Sequence, residues 1–116
     1  MLQQLREYGT AQWHPFDWDA ADWDSDRLPL VDSPSRVERG SVVVLEGAYS
    51  CRPELHDLLD LLVLLDVPRE IRNARLRVRD GADYHPDWDA RWSGAEDHYF
   101  GTVMTPDRFD VVLRAG

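Results

Sequence analysis

The chain has 116 residues, enough for a single domain that would bury about two thirds of its unfolded surface. Its formal charge of −9 argues against non-specific nucleic-acid binding and against an anionic membrane surface, since both require a basic face. The sequence shows neither an apolar span of about 18 residues nor a basic-then-apolar leader, and its one cysteine, Cys51, has no internal disulfide partner, so a cytoplasmic protein is the expectation.

Residues 1–8 have the composition of two helical turns, closed by Gly9. From 13 to 36, Trp13, Trp18 and Trp23 are interspersed with Asp17, Asp19, Asp22, Asp24, Asp26 and Asp32. That much aromatic surface predicts an ordered but irregular segment laid over a core, either a structural lid or a substrate-facing loop. Next, Ser41-Val42-Val43-Val44-Leu45-Glu46-Gly47 is an unbroken β-branched run, the pattern of a central parallel strand covered on both faces. Residues 53–59 read as a short helical crossover and 61–65 as a second strand. An arginine-rich helix follows, then a helical stretch over roughly 87–103 and a closing strand at 109–113. The order strand, helix, strand, helix, helix, strand predicts an α/β fold with a mostly parallel sheet flanked by helices.

The arginine-rich helix is the most distinctive segment. Asp66-Val67-Pro68 ends an apolar run, and proline suits the first helical turn, where its missing N–H is not needed. Five of the thirteen basic residues then fall between 69 and 79. At about 100° per residue, Ile71, Ala74 and Val78 form one stripe, expected to face the core, and Arg72, Arg75 and Arg79 an adjacent one. Three guanidiniums in a row suit bidentate contacts to phosphate oxygens, and they equally suit ion pairs with this chain's many acids. The segment 79–84 reads as a helix end and a short connection able to close over a phosphate donor, or as an ordinary interhelical loop.

All thirteen basic residues are arginine, which excludes lysine-dependent chemistry, including that of a GxxxxGK[ST] phosphate loop. His14, His56, His85 and His98 lack metal-type spacing, and Cys51 has no orienting group at a known spacing. Glu46, at the end of its expected strand and before Gly47, has two readings. It is a carboxylate for Mg²⁺, or a strand-end acid that caps a helix or binds an arginine. Asp66, just before Pro68, is expected to open the helix rather than to bind a ligand.

Taken in order, Val42-Val43-Val44-Leu45-Glu46-Gly47, Pro53-Glu54-Leu55, Asp57-Leu58-Leu59-Asp60-Leu61, Leu65-Asp66, and Arg72, Arg75 and Arg79-Asp80 resemble the uridine/cytidine kinase family of P-loop phosphotransferases. Phe109-Asp110-Val111-Val112-Leu113 is similar to that family's last strand, and Phe16-Asp17-Trp18-Asp19-Ala20-Ala21-Asp22 to its "FDxPxA"-type segment. The likeness implies that residues 1–116 form a single domain corresponding to the C-terminal part of a P-loop-kinase-like fold, with an arginine-rich lid helix. It further implies ATP-dependent phosphoryl transfer to a nucleoside or a similar small hydroxyl compound. By the same likeness, Glu46 would help hold Mg²⁺, Arg72, Arg75 and Arg79 would contact phosphates, and Asp17 and Asp19 would contact substrate or the metal. The family's phosphate loop has no counterpart in this sequence. It is expected on an upstream segment or on a partner chain, this chain alone being inactive, and a homo-oligomer is the other assembly expected. The alternative is a catalytically inactive module that binds an anionic ligand or a protein.

Overall fold

A computed structural model describes residues 1–20, 29–83 and 86–116. Asp22, Trp23, Asp24 and Asp26 of the Trp/Asp-rich segment, and Tyr84 and His85 before the last helix, lie outside the described residues. The architecture is mixed α/β, with short strand pairs and helices arranged in two compact units, Met1–Leu45 and Glu46–Gly116.

In the first unit, α1 spans Leu2–Tyr8. It stops at Gly9, whose left-handed φ of 73° lets its N–H return to the carbonyl of Leu5 at 3.1 Å. The chain then enters β1, Thr10–Trp13, which pairs antiparallel with β2, Ser35–Glu38, in the register Ala11 opposite Val37. Leu5 of α1 and Ala11 of β1 are buried and form the centre of this unit. Between the strands, Phe16 and Leu30 form an isolated bridge, with Asp17 N–H donating to Pro29 O at 3.0 Å and Val31 N–H to Pro15 O at 2.8 Å.

In the second unit a 3₁₀ helix, Pro53–Leu58, leads to β3, Val63–Asp66, which pairs in parallel with β4, Val111–Arg114. The Asp110 carboxylate fixes the register by accepting the Leu62 N–H at 2.7 Å, while Leu62 O accepts the N–H groups of Asp110 and Val111. The helix α2 covers Arg69–Asp80, followed by one 3₁₀ turn, Gly81–Asp83. The last helix, α3, runs from Pro86 to His98 and continues as a π-helical turn, Tyr99–Val103. Tyr99 and Met104 are the buried centre, and Met104 is fully enclosed.

Aromatic rings extend this centre along α3. Trp88 and Trp92, one turn apart, stack at 5.6 Å; Trp92 stacks on Tyr49 at 5.9 Å, and Tyr49 meets Tyr99 edge-on at 4.9 Å. The hydroxyls of Tyr49 and Tyr99 are buried without a hydrogen-bond partner, and burial pushes both above the ordinary 10.0. Folding therefore favours their neutral forms. Their contribution is complete below the unfolded pKa and is lost as pH rises through the raised folded values. Tyrosinate absorbance is expected to show these two hydroxyls ionising at higher pH in the folded chain than in the unfolded chain. The same titration midpoint for these hydroxyls in the folded and unfolded chain would contradict their burial.

The expected mostly parallel sheet does not form: among the described residues the strands make two separate two-stranded sheets, one antiparallel and one parallel. Residues 41–46 form no strand, and Val42 and Val44 are 79% and 83% exposed. A strand requires a neighbour to take its backbone hydrogen bonds, and none of the described residues pairs with this run. Of the Ile71–Ala74–Val78 stripe of α2, only Ile71 is sheltered; Ala74 is exposed and Val78 is 86% exposed, and the half-sheltered residues are Ile71, Arg72, Asn73, Leu76 and Asp80. Asp66 makes no cap to α2 and instead pairs with Arg114, 3.6 Å away, across the parallel strands.

No helix among the described residues is long and apolar enough to cross a membrane.

Candidate functional site

The arginine face of α2 is set by the chain that delivers it. β3 ends at Asp66 opposite Arg114, and Pro68 then opens the helix, its carbonyl accepting the N–H groups of Ile71 at 3.0 Å and Arg72 at 3.1 Å. After the twelve residues of the helix, Gly81, at φ 51°, closes it through a bond from its N–H to Arg77 O.

The three arginines singled out by spacing fall into different surroundings. Arg72 is half-sheltered; its Nε donates to Val67 O at 3.1 Å, and its Nη1 meets Glu96 Oε2 of α3 at 2.5 Å. One turn earlier, Arg69 pairs with Asp97, a contact that holds its guanidinium above the ordinary arginine value. Two ion pairs thus bridge α2 and α3. Arg75 and Arg79 lie instead on the open side of α2. With Glu70, Ile71, Ala74 and Val78 they line a broad, shallow depression of about 560 Å³. Arg79 leans on its neighbour Asp80 at 2.7 Å. Glu70 is the only acid in this lining, so two guanidiniums flank an apolar floor there.

This arrangement suits a multiply charged anion. Guanidiniums one turn apart on an exposed face can each donate two parallel N–H groups to phosphate oxygens. Arg72 serves differently from the other two, because two of its donors are already committed within the fold. Sequence spacing had no means of showing this, since the acids that take up Arg69 and Arg72 lie 28 and 24 residues away.

Glu46 is exposed and precedes a turn in which Ser50 N–H donates to Gly47 O at 3.2 Å. Among the described residues no group of three or more His, Cys, Asp or Glu is placed to hold a metal. What Glu46 can offer a magnesium ion is a single carboxylate, which fits an ion that keeps most of its water and takes further oxygens from phosphate. In the first unit, Asp17 is half-buried and organises its own loop, with Oδ1 accepting the N–H groups of Asp19 and Ala20, each at 3.1 Å. Asp19 is exposed. Phe16 and Trp18 pack edge to face beside them at 4.7 Å.

No family model matches the chain, and neither the curated proteins nor the solved structures contain a match to it.

Proposed function

We propose that the second unit is a phosphate-binding part of an ATP-dependent kinase acting on a nucleoside or a similar small hydroxyl compound, with the phosphate loop supplied from outside this sequence. The observation that carries this reading is the pair Arg75 and Arg79, set beside an apolar floor on the open side of a helix that begins after a strand. A charged clamp of that kind stabilises transferring phosphoryl groups by placing fixed positive charge against their oxygens. In this reading Arg75 and Arg79 hold the phosphates. Arg72 sets the helix that presents them, and joins the phosphate contacts through the donors the fold leaves to it.

Magnesium, when bound, neutralises phosphate charge, and Glu46 is the residue proposed to give it a protein oxygen. Glu46→Gln is accordingly expected to reduce the magnesium dependence of ATP binding while leaving thermal unfolding unchanged, because the side chain is exposed. Equilibrium dialysis with and without magnesium, beside a melting curve, checks both halves. Equal magnesium dependence in the variant would remove the assignment.

The same dialysis tests the function. ATP is expected to bind the chain, and tripolyphosphate to compete with it, since α2 recognises the phosphates rather than the base. Absence of ATP binding would contradict the reading. A second reading, an inactive module that binds an anion or a protein, is favoured by the lysine-free sequence, which contains no phosphate loop. It differs in its outcome: anion binding persists, and adding a loop-bearing partner produces no phosphoryl transfer.

A further inference from the structure

Arg69 and Arg72 are engaged by carboxylates of α3, the same class of acceptor that phosphate presents to a guanidinium. Among the described residues, the long side chains of these pairs reach from α2 to α3. Both pairs are partly open to water, with Arg69 and Asp97 more exposed than Arg72 and Glu96. Exposed pairs of this kind are weak, each shifting an equilibrium by about two- to fivefold. An arriving polyanion can therefore displace them, while the released carboxylates regain full hydration.

We propose that the Arg72–Glu96 and Arg69–Asp97 pairs form an autoinhibitory latch, in which the carboxylates of α3 occupy the first two turns of the arginine helix and give way when a polyphosphate binds. The proposal rests on the phosphate reading of α2 and adds its regulation. In the latched state Arg75 and Arg79 offer a partial clamp. Once released, Arg72 and Arg69 extend it toward the N-terminus of α2, where the helix dipole also favours an anion. The price of release is a loosened α3, which makes anion binding and α3 docking mutually exclusive.

The test is calorimetric titration with inorganic pyrophosphate at fixed low ionic strength. The double variant Glu96→Gln with Asp97→Asn is expected to bind about fivefold more tightly than the wild type. A control, Asp60→Asn with Asp87→Asn, removes the same charge from exposed positions of this unit and is expected to gain clearly less. Equal gains in the two variants, or no gain in the first, overturn the latch while a weakened Arg75→Ala leaves the phosphate reading standing. If Arg75→Ala binds as the wild type does, the phosphate reading falls and the latch with it. Should the double variant fail to fold, amide exchange on the wild type decides the matter. Pyrophosphate is expected to speed exchange across 86–98 relative to sodium chloride of equal ionic strength, and unchanged or slower exchange overturns the proposal.

Discussion

Arg75→Ala is expected to weaken polyphosphate binding at least tenfold and, in a form that carries a phosphate loop, to cut phosphoryl transfer by a similar factor. A charge-assisted hydrogen bond contributes about 1.5–3 kcal/mol, and every 1.4 kcal/mol is about tenfold, so loss of one bidentate guanidinium accounts for the effect. The fold should be untouched. Arg75 is exposed on the open side of α2 and makes no ion pair among the described residues. Melting temperature and binding should therefore separate: unchanged for the first, reduced for the second. Arg72→Ala should behave otherwise and lower both, because it also removes the contacts to Val67 O and Glu96. Unchanged binding in Arg75→Ala would remove its phosphate role.

The second large effect concerns stability. Met104 is fully enclosed, and its N–H closes the π-helical turn onto Tyr99 O at 2.7 Å. Truncating a buried Met to alanine costs about 2–5 kcal/mol, part of it from the cavity left behind. Domains of this size hold only about 5–15 kcal/mol in total. The second unit has just Tyr99 and Met104 as buried apolar residues among those described, so little surrounding core can relax into the space. Met104→Ala is expected to abolish cooperative unfolding of this unit near room temperature, followed by near-UV dichroism of the Tyr49–Trp92–Tyr99 cluster. Met104→Leu, which keeps the volume, should cost less than about 1.5 kcal/mol. A melting curve for the alanine variant that overlays the wild type would contradict this placement of the core.

The elements with strong local signals were legible in the sequence. Gly9 marks the end of α1, Pro68 and Gly81 bracket α2, and the 61–65 and 109–113 runs do become the parallel pair β3–β4. Of the rings that helical spacing marks as core contacts on this stretch, Tyr99 is buried, whereas Trp88 and Trp92 stack on each other and stay exposed. The antiparallel pair β1–β2 was not legible. Thr10–Trp13 and Ser35–Glu38 are four-residue strands with little apolar alternation, joined across 21 intervening residues. The Val42–Leu45 run misled in the opposite direction. Its β-branched composition signals a strand, but composition cannot supply the neighbour that a strand must bond to. At the candidate site, helical spacing placed the arginines on one helix correctly. Which of them face solvent depends on Glu96 and Asp97, residues that only the tertiary fold brings to α2.

The central claim is that the open side of α2 recognises phosphate, and guanidinium Nε–H resonances report it directly. On titration with ATP and magnesium, the signals of Arg75 and Arg79 are expected to shift and saturate together, while those of Arg36 and Arg39 in the first unit stay in place. Shifts spread evenly over all thirteen arginines, or a saturating response elsewhere with Arg75 unmoved, would contradict the account.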